Sequence, residues 1–214
     1  MSLTLDSPPS MLTTAPATPA YFPAWFAARQ QAAWQRFLDT PAPKRGDETW
    51  RFSSIKQLDF SSFRKSPVSG ANDLIARSTG IETPAAKLIF VNDELVHVES
   101  HLPEGVICLP LAEALVSHSD LVQAHFMKQE TRLGSAKFAA LHEASLTNGL
   151  FVHVADKVEV EGTIEVHHWI AGQDAVIFPH TLIVTGKSSK VRVVDIFRSA
   201  EDTQPGLAIA FNDL

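Results

Sequence analysis

The side chains of this chain that could carry chemistry are nine histidines, one cysteine and 24 acidic residues. A metal site needs several such groups converging at ligand spacing. His167 and His168 are neighbours, so on a strand they point to opposite faces and cannot share one ion. His142, His153 and His180 are scattered, and neither Cys-x-x-Cys nor His-Glu-x-x-His occurs. His153 stands between Val152 and Val154 and belongs to the face opposite theirs. The histidines therefore read as surface or singly hydrogen-bonded groups. Cys108 lies in the apolar run Val106-Ile107-Cys108-Leu109, the setting of a buried, inert thiol. Gly-x-Ser-x-Gly is absent, and Leu133-Gly134-Ser135 has no partnered base nearby in sequence. Glu159, Glu161 and Glu165 lie along strands and read as solvent-facing charges. No catalytic, cofactor-binding or metal-ligating residue is nominated.

The elements that would have to position any site are clearest in the last third. Val152-His153-Val154, Val158-Glu159-Val160, Ile164-Glu165-Val166 and Val191-Arg192-Val193 alternate with period two, the mark of half-buried strands. Polar turns separate them, among them Glu161-Gly162-Thr163 and Gly172-Gln173-Asp174. Many short strands at close spacing mean a sandwich, a barrel or a solenoid. The final run, Leu207-Ala208-Ile209-Ala210-Phe211, is followed only by Asn212-Asp213-Leu214, so an open sheet edge in search of a partner is expected there.

Upstream, Pro23 suits the start of a helix, and Phe22, Phe26, Ala33 and Phe37 recur at helical spacing with Trp25, Trp34 and Leu38 widening the stripe. Thr40-Pro41-Ala42-Pro43 ends it. Trp50 and Phe52 read as core plugs, with Glu48 and Arg51 pairing to fix their loop. The Ser/Pro/Gly-rich residues 61–70 read as a linker or surface loop. Leu88–Val91 and Leu95–Val98 flank Asn92-Asp93 as a hairpin, and Leu102-Pro103-Glu104-Gly105 turns into a strand at Val106–Leu109. Leu111, Ala114, Leu115 and Val122 mark helix, interrupted at Ser119-Asp120. Phe138, Leu141 and Ala144-Ser145 mark another, stopped by Asn148-Gly149.

The composition is that of a globular chain. Hydrophobic residues are 45% and charged residues 20% of 214. A net charge of −6 and the lack of a Lys/Arg cluster speak against nucleic acid as partner. No apolar run approaches the roughly 20 residues of a membrane span. A lone cysteine rules out an internal disulfide and fits a reducing, cytoplasmic setting. The expected organisation is a disordered leader at 1–20, a helical and mixed α/β domain at 21–148, and a β core at 149–214. The leader lacks the basic residues of a secretory or transit signal.

Three blocks in order carry a resemblance. Pro43-Lys44-Arg45 precedes Glu48-Thr49-Trp50-Arg51-Phe52-Ser53; Phe90-Val91-Asn92-Asp93 precedes Leu102-Pro103-Glu104-Gly105-Val106. Then Phe138-Ala139-Ala140-Leu141-His142-Glu143-Ala144 leads through Asn148–Val154 to Ala175–Val184. From about Tyr21 onward the chain resembles the SufB/SufD family of iron–sulfur cluster assembly scaffolds, and its SufD branch more closely. The resemblance implies an α+β N-terminal region followed by a mainly-β, right-handed parallel β-helix, here truncated. It implies a scaffold acting by contact with a SufB-like subunit and a SufC-like ATPase, with the iron–sulfur cluster handled by the intact complex and no cofactor in this chain. Inward aliphatics Val152, Val154, Val166, Leu182 and Val184 would form one column in such a core. The family's C-terminal helical region, which docks the ATPase, has no counterpart in these residues, and the open end around Leu207–Phe211 is expected to self-associate. Two rivals from other classes are a β-solenoid or jelly-roll enzyme acting on a sugar or using a metal, and a stand-alone β-helix interaction module.

Overall fold

The structure, a computed structural model, describes residues 11–52, 59–129 and 135–214. It is α+β, with helices concentrated before the mixed sheets, and among the described residues no sheet closes into a barrel. Helix α1 (Ala24–Asp39) starts on Pro23, whose carbonyl accepts from the N–H groups of Phe26 and Ala27. It ends at Thr40, before Pro41. Its stripe of Phe22, Phe26, Ala33 and Phe37 is buried as the spacing predicts, and Gln30 is buried among them. Leu38 falls off the stripe and is 49% exposed. Met11 and Leu12 pack against the cluster of Phe37, Leu141 and Phe178, while residues 1–10 of the expected leader lie outside the described residues.

A 3₁₀ turn at Glu48–Trp50 brings Trp50 beside the Phe138 ring, at 6.2 Å. Phe52 is no core plug. It is 89% exposed, and Arg51 lies over its ring instead of pairing with Glu48. Ser53 lies outside the described residues, and the linker that follows is partly paired: Arg64 bridges Ala175 in parallel.

After α2 (Ala71–Arg77), strands β1 (Ala86–Val91) and β2 (Glu94–Ser100) form the expected hairpin. Asn92 and Asp93 both have positive φ, 51° and 66°, as a two-residue turn with right-handed strand twist demands. The turn is also fastened to three loop segments distant in sequence. The Asn92 amide donates to the carbonyls of Ala171 (2.9 Å) and Pro67 (3.0 Å), and Asp93 Oδ2 accepts from the Phe178 N–H at 2.8 Å. Strand β3 (Val106–Pro110) leads into α3 (Leu111–Ser117) and α4 (Ser119–His125), which break at His118. Helix α5 (Ala136–Ser145) is capped by the Ser135 hydroxyl. It stops before Asn148-Gly149. The Asn148 side chain accepts from the N–H groups of Ala112 and Gly149 and so belongs to the entry of the next strand.

Seven strands follow: β4 (Gly149–Val154), β5 (Ile164–Ile170), β6 (Ala175–Ile177), β7 (His180–Thr185), β8 (Val193–Ser199), β9 (Gly206–Ala208) and β10 (Phe211–Asp213). They are laid into sheets β2-β1-β5-β8, β3-β4-β7-β10 and β6-β9. Both larger sheets join strands from either side of Asn148. Val158–Val160 forms no strand, only a Glu159–Lys190 bridge, although Val160 is buried. The run Leu207–Phe211 is divided between two strands, because it turns a corner from β6 to β7.

Pairings from β4 onward are parallel and share a spacing. Gly149 pairs with His180 and His180 with Phe211, Ala175 with Gly206, and Glu159 with Lys190. The common offset is about thirty residues, within the range of repeat architectures. Inside lies a core of Leu88, Phe90, Leu150, Val152, Val154, Ile164 and Val166. Leu182 and Val184 do not join it. Val152 pairs with Ile183, so Leu182 and Val184 take the opposite parity and pack with Phe26, Leu111 and Phe151 under the helices.

Gly149 has no room for a side chain, since a Cβ there would stand 2.1 Å from the His180 carbonyl oxygen. Gly149→Ala should therefore push β4 from β7 and lower stability by about 2–4 kcal/mol in urea unfolding. An unchanged midpoint would show that the two strands are not seated this closely.

Candidate functional site: a buried polar seam

The sequence left the histidines scattered; the fold gathers two of them. His142, on α5, and His180, the first residue of β7, are both fully enclosed where the helices meet the sheet, with His142 Nε2 3.1 Å from His180 Nδ1. His142 Nδ1 is 2.7 Å from the Ile209 carbonyl, which can only accept. This fixes the proton on Nδ1 and leaves Nε2 as an acceptor for the His180 Nδ1–H. His180 Nε2 then carries a lone pair with no partner among the described residues. The His180 ring is stacked on Phe211 and lies against Phe126.

Burial governs the electrostatics. It pushes His142 down to about 4, with the Ile209 contact opposing and Lys65 adding to the fall. His180 is driven further down by burial, by His142 and by Arg29. Asp213, on β10, accepts from the Met127 N–H, while partial burial raises its pKa against that bond. Next to the pair, Glu143 of α5 is held between Arg29 (2.7 Å) and Arg36 of α1. Ile209, Phe211 and Asp213 thus all touch this seam, which fastens the final strand to the helices.

Two further polar groups are buried in the β1-β5-β8 sheet. Glu165 is fully enclosed, contrary to the solvent-facing reading. Its Oε1 accepts from the Ile81 N–H at 2.8 Å, and it occupies the space beside Gly80. His167, on the same face, has no hydrogen-bond partner for either ring nitrogen among the described residues and stands 3.5 Å from Glu165 Oε2. His168 faces the other way, as expected of its neighbour. It is stacked between Phe90 and Phe197, and Asp195 Oδ1 is 3.4 Å away. His153 lies on the face of β4 opposite Val152, where the alternation placed it. The Cys108 thiol packs in the inner core, and burial pushes it up to about 12. Ser135 of the Leu133-Gly134-Ser135 run caps α5, while Leu133 and Gly134 lie outside the described residues. Among the described residues no three His, Cys, Asp or Glu side chains are grouped so as to hold a metal ion. None of the described helices is long and apolar enough to cross a membrane. The buried histidines escaped sequence reasoning because burial of His142 and His180 depends on contacts between distant segments, whereas their local patterns are unremarked polar positions.

This arrangement of an N-terminal helix, a hairpin riveted to a parallel sheet and an α5–β4 entry coincides with a family match. The model of the SufBD protein N-terminal region covers residues 21–166. The chain belongs to the SufBD family. It is 28% identical over 188 residues to the iron–sulfur cluster assembly protein SufD of Bacillus subtilis, covering 83% of this chain and 42% of that protein. It is also 28% identical over 92 residues to an iron–sulfur cluster assembly SufBD family protein of Pyrococcus horikoshii, 43% of this chain and 20% of the relative. The chain thus spans less than half the length of these curated relatives.

Neutral His142 sets a pH dependence. In the unfolded chain it titrates near 6.5 and in the folded one near 4, so its contribution is complete above 6.5 and is lost as pH falls toward 4. The expected loss is about 1.4 kcal/mol per pH unit in that window. Urea unfolding at pH 7 and at about pH 5 should show it, and His142→Gln should reduce the difference, with His180 supplying the part that remains. Equal slopes in the two proteins would mean that His142 is not buried neutral.

Proposed function

We propose that this chain is a SufD-like component of an iron–sulfur cluster assembly complex, acting as a scaffold through protein contacts rather than by turnover. The observation that carries the reading is the family match across residues 21–166, together with the iron–sulfur cluster assembly role for which both relatives are named. The partners proposed are a SufB-like subunit and a SufC-like ATPase, in the cytoplasm. The cluster is cargo of the complex, and the chain acts on it as a structural member.

In this reading the parallel ladders are the first turns of a right-handed parallel β-helix. The shared offset of about thirty residues supports it, as does the strong right-hand preference of parallel crossovers. The two ends of the sheets differ in a way that fits a contact surface. At one end β2 and β3 run antiparallel to their neighbours, and β2 exposes Glu94, Glu99 and Val98. At the other end β8 is an edge that continues the parallel direction and carries the 44% exposed Phe197. An unpaired edge offers its backbone groups to another strand.

Co-expression with a SufB-like protein and a SufC-like ATPase should retain the chain in one complex. Consistent loss of the chain from that complex would overturn the scaffold reading. Separately, light scattering after size-exclusion chromatography should show concentration-dependent self-association of the 214-residue chain, suppressed by Phe197→Lys. A monomer at every concentration would remove the open-edge part of the proposal.

A further inference from the structure

Between α1 and α5 lies a cavity of about 650 Å³. Its charged lining side chains are Arg29, Arg36 and Glu143, and Asp213, whose carboxylate accepts from the N–H of the lining residue Met127, lies within electrostatic reach of Arg29. The two arginines are two helical turns apart on one face of α1, and Glu143 reaches between them from α5. Glu143 occupies Arg29 Nε and Nη2 and Arg36 Nη2. Arg29 Nη1 and Arg36 Nε and Nη1 have no hydrogen-bond partner among the described residues. The side chains of Arg29 and Arg36 are 33% and 53% exposed, while that of Glu143 is 4% exposed.

One guanidinium would suffice to neutralise Glu143, and a truss between the helices would need no more. Arg29 also lies over the Phe126 ring at 5.2 Å, so the guanidinium that turns spare donors toward the void is chiefly that of Arg36. The void itself exists because the walls carry small side chains, including Ala32, Ala139 and Ala140, where bulkier residues would have closed the gap. Its volume is that of a small-molecule pocket, with apolar walls and a few fixed polar groups. The planar fork of arginine matches the oxygens of a carboxylate or a phosphate.

We infer that this cavity binds a small organic oxyanion, whose charged head is held by Arg36 and Arg29 and whose body lies on the alanine wall. Glu143 acts as the positioning residue: it orients both forks and leaves their outer N–H groups for the ligand.

The experiment is calorimetric titration of the 214-residue chain with three probes: inorganic phosphate, adenosine monophosphate and citrate. At least one organic probe should bind with a dissociation constant of about 1 mM or tighter and more tightly than inorganic phosphate, with affinity falling as salt rises. The adenosine and citrate arms separate a phosphate head from a carboxylate head. Arg36→Gln, at a half-exposed position, should weaken binding about tenfold or more, while Arg45→Gln at the exposed loop leaves it unchanged. Circular dichroism of Arg36→Gln checks that the fold is kept, and Arg29→Gln repeats the test on the other fork. No binding of any probe, or equal binding by wild type and both cavity variants, overturns the inference. Binding of a glutamate-rich peptide alone would also overturn it and make the face a protein-docking surface.

Discussion

The parallel register that sets Gly149 beside His180 and His180 beside Phe211 is the constraint on which the rest of the structure depends. It brings residues far apart in sequence to one level, so that the chain stacks like on like. Phe90, His168 and Phe197 lie in register across three strands and stack ring on ring. The same register decides which side of each strand is inner core and which is helix-facing. A slip of one residue in β7 would exchange Ile183 for Leu182 and move each into the wrong cluster. The helices need this parity as much as the sheets do, because Phe26, Leu111 and Phe126 pack on the face that carries Phe151 and Leu182.

Local pattern was enough wherever one segment settles its own structure. The aromatic stripe of α1, the Asn92-Asp93 hairpin and the break between α3 and α4 could all be read from a few neighbouring residues. So could the opposed faces of His167 and His168. The order of the blocks also carried the family assignment, which no single motif would have supported.

What the sequence concealed is what depends on partners distant in the chain. Glu165 alternates with valines and looks solvated, yet the segment at Gly80-Ile81 folds over it and supplies an N–H. Phe52 looks like core and is left outside, since its loop ends with Trp50 already seated. Leu182 and Val184 have the right residue type and the wrong parity for the inner column, and only the pairing of Val152 with Ile183 reveals it. The His142–His180 pair is the same kind of case. Its two members are ordinary in their own segments and become a buried polar unit only when β7 passes beneath α5. Glu143 and its two arginines, more than a hundred residues apart in sequence, could not be matched by any local rule.

The reversed strands β2 and β3 have a directional meaning beyond their pairing. Each closes the same end of its sheet with a strand of opposite direction, so the parallel ladder cannot continue on β1 or β4 there without displacing it. Every later strand is laid against one that precedes it in sequence, β7 on β4, β8 on β5, β9 on β6 and β10 on β7, so the parallel ladders run in one direction along the chain and start from a surface already closed by a reversed strand.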